Sequence, residues 1–337
     1  MTELSAQTTA AASGDRPGMY VPARFIPVPT TISPQAQELL SLPNPYGNDV
    51  EPDPSDKAAW VKRVSEGSEQ FTKMLEQRFA PYRPERQTEH ALSNAVMYQI
   101  DPTSSVTNGL TGKVIFYVHG GGFTTGGGIA AAYACYQIAY MSGLTTFSID
   151  YRMPPHFPFP AGLDDCVEAY RTLVDRYGAE NIAAYGASAG AGLLASCLLK
   201  ARDLGITMPK ACVLQSPESD LTESGDSFET NLGVDQVLKR LTNSIALYAD
   251  GHDLKDPYLS PLFGDFTKGF PDTYLSAGTR DLFLSNTILL HRALRRAKIP
   301  ADLNIWEGMG HAGFFGLAPE DQESLTEQVD FIRDRLK

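Results

Sequence analysis

From about position 95 onward the apolar residues of this chain keep to two periods. Residues 95–100 alternate, and 113–118 form a continuous β-branched and aromatic run of the kind buried inside a sheet. Further strand-like runs occupy 144–151, 181–185, 210–215, 272–277 and 301–306. Between them, helical spacing covers 160–177 with Gly178 as its stop, 188–204 with Gly205, 285–298 and 320–336. Strands that alternate with helices and are apolar almost throughout predict a mostly parallel sheet covered on both faces. Ligands bind such sheets at the carboxyl ends of the strands. No internal repeat is evident.

The N-terminal part reads differently. Residues 1–16, rich in Thr, Ala and Ser, are expected to be disordered. Recurrent prolines (22, 27, 29, 34, 43, 45 and 52) make 17–54 an irregular arm, with one short helix marked by Ser33 as cap and Pro34 at its first position. A longer helix is expected from about Ser55. Its apolar stripe of Trp60, Val64, Phe71, Leu75 and Phe79 is broken by Gly67.

Composition narrows the class. The chain has 337 residues, 42% hydrophobic and 20% charged, which suits a globular protein with a sizeable core. A formal net charge of -12 argues against nucleic acid or an anionic membrane as partner. The 4 cysteines, Cys135, Cys166, Cys197 and Cys212, lie far apart in apolar segments and are expected to be reduced core residues. The first twenty residues lack an apolar leader and no run of eighteen apolar residues follows, so the cytoplasm is the expected compartment.

Candidate chemistry starts at Gly186-Ala187-Ser188-Ala189-Gly190, between a strand and a buried helix. Strand, G-x-S-x-G turn and helix make a nucleophile elbow, whose glycines let the turn close and whose serine projects from the tip. By itself the motif is compatible with an ordinary glycine-rich turn. Upstream, His119-Gly120-Gly121-Gly122-Phe123 follows the strand at 113–118. Successive glycines let backbone N–H groups approach a reacting oxygen, as in an oxyanion loop. His119 is expected to support that loop, and Gly126-Gly127-Gly128 to be a flexible turn. A base should lie on a late loop, after an acid. Of the 6 histidines, His90, His119 and His156 precede the serine, His252 sits in a polar turn and His291 in a helix. His311 alone follows the last strand on a glycine-flanked loop. Asp281 follows the preceding strand directly, whereas Asp272 and Asp302 stand at strand beginnings, the wrong end of the sheet.

Several stretches together resemble the hormone-sensitive-lipase-like branch (bacterial family IV) of the α/β-hydrolase esterases. They are HGGGF at 119–123, DYRMPPHFPFP at 150–160, GASAG at 186–190, DPYLSPL at 256–262, GTRD at 278–281 and GMGHA at 308–312. The resemblance runs from about Val114 to the C-terminus. It implies an α/β-hydrolase fold with an N-terminal helical cap, Ser188 as nucleophile, His311 as base, Asp281 as its orienting acid, and backbone donors at Gly121, Gly122 and Ala189. It also implies a division into 1–85 (arm and cap) and 86–337 (catalytic domain), with an insertion at about 217–255 adding to the cap. Ala187, Ala191-Gly192 and His156 depart from the residues many relatives carry there, which leaves subfamily and substrate preference open. The implied activity is hydrolysis of small to medium uncharged esters, with lactone, amide or carbamate hydrolysis as alternatives from the same machinery. A ligand-binding receptor is the rival of another class, disfavoured by the full set of three residues. Neither metal nor organic cofactor is implied. The expected partner is a small-molecule ester, without nucleic acid or membrane, and a homodimer stays open.

Overall fold

The computed structural model describes residues 18–19, 21–42, 50–103 and 109–337. The expected disorder of 1–16 and the prolines at 43 and 45 fall outside these residues. Eight strands among the described residues form one sheet: β1 (Arg86–Ala91), β2 (Val96–Asp101), β3 (Val114–Val118), β4 (Thr145–Asp150), β5 (Ile182–Ala187), β6 (Ala211–Gln215), β7 (Asp272–Gly278) and β8 (Ala301–Trp306). Their order is β1-β2-β4-β3-β5-β6-β7-β8. The pairs β1–β2 and β2–β4 are antiparallel, and every later pair is parallel.

The helices are α1 (Pro34–Leu40), α2 (Lys57–Phe79), α3 (Ile129–Ala134), α4 (Tyr136–Ser142), α5 (Ala161–Tyr177), α6 (Ala189–Asp203), α7 (Ser227–Thr230), α8 (Thr242–Ala249), α9 (Leu284–Arg296) and α10 (Pro319–Leu336). Alternate residues of the central strands enter two different cores, because successive side chains of a strand point to opposite faces. Val114, Phe116 and Val118 of β3 join Leu163, Leu194 and Leu290 on one face. Ile115 and Tyr117 join Ala131, Ile138 and Ile332 on the other. All five β3 residues are buried, as their unbroken apolar run requires. The four cysteines lie in these cores as free thiols. No helix among the described residues is long and apolar enough to cross a membrane.

Two departures from the sequence pattern, and one agreement, have physical causes. β1 is a mostly exposed edge strand of polar residues, Arg86-Gln87-Thr88-Glu89-His90-Ala91, so it carries no apolar alternation to betray it. As expected of one helix from about Ser55, α2 runs through Gly67 for 23 residues from its Asp56 cap. One glycine costs a helix about 1 kcal/mol, which packing overrides. The run Gly126-Gly127-Gly128 is an ordered lead into α3: Gly128 caps that helix and its N–H donates to Asp150 at 2.8 Å. The short helix at Pro34 is present, with Ser33 Oγ accepting from the Ala36 N–H at 3.2 Å.

Candidate active site

At the end of β5, Ser188 takes φ 59° and ψ −131°, and α6 begins at the next residue. A non-glycine residue in that region carries strain on the order of 1–3 kcal/mol, held by its surroundings. The two flanking glycines are sterically required. A Cβ on Gly186 would lie 2.7 Å from the Ala191 Cα, and one on Gly190 only 2.2 Å from the His119 carbonyl oxygen. The Ser188 N–H donates to the Gln215 carbonyl at 2.8 Å, pinning the turn to β6.

His311 comes from the loop after β8. Its Nε2 stands 2.7 Å from Ser188 Oγ and its Nδ1 3.1 Å from Asp281 Oδ1. With the proton assigned to Nδ1, the ring donates to the carboxylate and accepts from the serine hydroxyl. The edge-on ring of Phe283 packs against it, centroids 4.9 Å apart. Asp281 is fully buried just beyond β7 and also accepts from Ser216 Oγ at 2.5 Å and the Phe283 N–H at 2.8 Å. Asp272 and Asp302 begin β7 and β8 at the opposite end of the sheet, where Asp272 pairs with Arg335 at 2.9 Å. His252 and His291 are engaged elsewhere, with the Ala249 and Ala301 carbonyls. Thus the structure brings together three side chains separated by up to 123 positions.

Beside them runs the glycine loop. Gly121 and Gly122 have φ 124° and 58°, and a Cβ on Gly121 would lie 2.1 Å from the Thr125 carbonyl oxygen. Among the described residues nothing accepts a hydrogen bond from the backbone N–H of Gly121, Gly122 or Ala189. His119 is buried, and its ring stacks on Tyr151 at 4.2 Å with Nδ1 2.8 Å from the Gly120 carbonyl. Burial pushes its pKa down to about 4, against a smaller upward pull from that hydrogen bond, so the ring is neutral at physiological pH.

Two buried carboxyl groups escaped the sequence reading. Asp235 accepts from the N–H groups of Val237 (2.8 Å), Leu238 (3.1 Å) and Leu282 (2.8 Å), tying the segment before α8 to the residue after Asp281. Burial, then the charge of Asp281, raises its pKa, while His311 and the backbone donors act against this. Burial alone pushes the His311 imidazole down. The charge and hydrogen bond of Asp281, followed by the charge of Asp235, more than reverse this, so its pKa is raised above the ordinary imidazole value. Glu218 donates its N–H to the Ser188 carbonyl at 3.2 Å, and burial, then the charges of Glu223 and Glu51, drives its carboxyl well above the usual range. Neither residue sits at a motif position, and neither loop has a periodicity that would place it.

A cavity of about 1120 Å³ opens over Ser188 and His311. Phe71, Met74, Leu75 and Phe79 of α2 line one side, Leu238 and Leu241 another. Trp60 belongs to the same stripe yet does not line the cavity. Its ring is buried, with Nε1 donating to the Asp53 carbonyl at 3.1 Å.

Residues 115–315 match the family described as alpha/beta hydrolase fold. The chain is 30% identical over 227 residues to an "Acetyl-hydrolase" of Streptomyces hygroscopicus, covering 66% of this chain and 76% of that one. Its fold superposes on the crystal structure of esterase E25 with a TM-score of 0.85 and 31% identity, over 95% of this chain and 98% of that one. A hormone-sensitive lipase from a metagenome library aligns with a TM-score of 0.74 and 29% identity, over 86% of this chain and 100% of that one. An eight-stranded, mostly parallel sheet with esterases as its relatives in both sequence and structure leaves one assignment: the chain belongs to the α/β-hydrolase family, in its hormone-sensitive-lipase-like branch of carboxylic ester hydrolases.

Proposed function

We propose that the protein is a serine carboxylesterase acting through an acyl-enzyme, with Ser188, His311 and Asp281 as its triad. The observation that carries this is the chain of contacts from Ser188 Oγ through the His311 ring to Asp281, at 2.7 Å and 3.1 Å, on a strained elbow. In acylation His311 Nε2 takes the hydroxyl proton as Oγ bonds to the ester carbonyl carbon, and the imidazolium is held by Asp281. The N–H groups of Gly121, Gly122 and Ala189 face the oxyanion, each worth about 3 kcal/mol of barrier. Collapse expels the alcohol, which receives the proton from His311. Water, deprotonated by the same ring, then releases the acid. His119, neutral and hydrogen-bonded to its own loop, shapes the donors without exchanging protons.

Esters compete here with anilides and lactones for one machinery. Rates on p-nitrophenyl esters beside matching p-nitroanilides and lactones test the assignment. Ester turnover exceeding both supports it, and a faster anilide or lactone replaces it.

Only the neutral His311 ring can accept the serine proton, so activity is expected to fall as pH drops through its pKa. Because that pKa is raised, the acid limb should lie above the ordinary imidazole value. The kcat/KM profile of a neutral ester reads it directly, and a midpoint well below that value contradicts the arrangement.

Residues 1–85 serve as arm and cap to a catalytic domain at 86–337, with 217–255 completing the cap. Supporting this, α2 and the segment before α8 both border the cavity. Phe71→Ala and Met74→Ala should each change discrimination between neighbouring acyl lengths by about 1–3 kcal/mol. Trp60→Ala should instead lower stability by about 3–5 kcal/mol with the length profile kept. Rates across acetyl to decanoyl esters, beside thermal melts, separate the two effects. An unaltered profile in both Phe71→Ala and Met74→Ala would make α2 scaffold alone.

A further inference from the structure

Among the described residues that line the cavity over Ser188, Arg78 is a cation held by neither a hydrogen bond nor an ion pair. Arg78, in the last turn of α2, lines it together with Tyr82, Gln137 and Gln322. These belong to a single polar corner: Gln137 Nε2 donates to the Tyr82 hydroxyl at 3.2 Å, and Gln322 leans on Met141 of α4. Arg78 makes no hydrogen bond and no ion pair among the described residues. Its guanidinium sits 5.2 Å from the Phe79 ring centroid, against the backbone of Gly316, where an added Cβ would meet Nη2 at 3.1 Å. Asp321 is the nearest opposing charge, but its oxygens accept from the Phe314 and Ala318 N–H groups at 2.9 Å and 3.1 Å. Of the other charged groups around this cavity, Glu51 is taken up by Ser244, Arg63 donates to the Val50 carbonyl at 3.4 Å, and Lys62 stands 4.0 Å from Glu66 on an exposed face of α2. Burial also holds the Arg78 pKa below the usual guanidinium value. A partly desolvated guanidinium that spends none of its N–H donors on the described protein groups can offer them to a ligand in the cavity.

We propose that Arg78 is an anion subsite of the substrate cavity, which selects esters bearing a carboxylate remote from the scissile bond. This rests on the esterase reading above and narrows its substrate, replacing the expected uncharged ester with a charged one. Guanidinium and carboxylate form paired, charge-assisted hydrogen bonds, while the flanking amides and the tyrosine hydroxyl complete the polar corner. The apolar wall of Phe71, Met74 and Leu75 then takes the chain between carboxylate and ester.

The test compares monoethyl esters of glutarate through azelate with ethyl alkanoates of equal length. Acetyl esters of ω-hydroxy acids form a second arm that separates a carboxylate on the acid side from one on the alcohol side. At one chain length the wild type should favour the carboxylate ester. Arg78→Gln should lower the carboxylate-to-neutral ratio of kcat/KM roughly tenfold or more, the size expected for a lost charge-assisted pair, and Arg78→Lys should keep most of it. Ethyl acetate turnover, measured in each of the three, is the reference that separates a lost anion contact from a general loss of activity. The proposal is overturned if the wild type rejects carboxylates at every length in both arms. It is equally overturned if the ratio survives in Arg78→Gln, or if all esters fall together, which would make Arg78 a structural tie. Calorimetric titration with suberate examines the subsite without turnover: binding to wild type and at least tenfold weaker binding to Arg78→Gln supports it, and absent or equal binding refutes it. Loss of ester hydrolysis in the wild type beside intact suberate binding would instead strike only the esterase reading.

Discussion

Ser188→Ala is expected to lower kcat for ester hydrolysis by on the order of 10⁴–10⁶-fold. The geometry leaves no substitute nucleophile at the tip of the turn: β5 ends here, α6 starts here, and the residue after the serine is Ala189. Ser216, a hydroxyl beside Asp281, donates a hydrogen bond to that carboxylate at 2.5 Å, and no contact joins it to His311 among the described residues. The variant should keep its fold, because φ 59° is tolerated no worse by alanine than by serine and the Gln215 contact uses only the backbone. A fluorophosphonate probe should label wild type at one site and leave the variant unlabelled, with thermal melts alike. Labelling of the variant at the wild-type rate would remove Ser188 from the reaction. Residual turnover above the uncatalysed rate is still expected, since the three backbone donors remain.

How far the sequence spoke depends on where each residue sits. The parallel centre of the sheet was readable because burial on both faces forces unbroken apolar runs, as in β3 and β6. The triad candidates were readable for a related reason. Each stands just past the carboxyl end of a strand, so locating the strands located Ser188, Asp281 and His311 at one edge of the sheet. Polar or evenly apolar elements escaped. β1 presents charged side chains to solvent, and α3 and α4, Ile-Ala-Ala-Ala-Tyr-Ala and Tyr-Gln-Ile-Ala-Tyr-Met-Ser, have too little polar contrast to show a stripe. Asp235, Glu218 and Arg78 escaped more completely. Their significance is a matter of what lies across from them in space, and no local pattern encodes it. The stripe of α2 was visible in the sequence, but not which part of it faces the cavity: Trp60 turns toward Asp53, while Phe71, Met74 and Leu75 turn inward.

Asp281→Asn is expected to lower kcat by roughly 10⁴-fold, the loss typical of a triad acid made neutral. Here the effect should arise from charge more than from orientation. The Asp281 Oδ1 that faces His311 also accepts the Phe283 N–H, so an asparagine is directed to place its oxygen there and its amide toward Ser216. The imidazole can then keep its tautomer, yet the imidazolium formed in the transition state loses its counter-ion in a buried site, where that charge matters most. Asp235 lies close enough to raise the His311 pKa as well, but as the weaker contributor. Asp235→Asn should therefore cost much less than Asp281→Asn and move the acid limb of kcat/KM to lower pH. Asp302→Asn, at the far end of β8, should stay near wild type. Steady-state kinetics of the three variants, each with a pH profile, rank them. Should Asp302→Asn prove worse than Asp281→Asn, the acid has been misplaced. Equal losses in Asp235→Asn and Asp281→Asn would mean that His311 answers to two carboxylates as one unit, with neither alone orienting the ring.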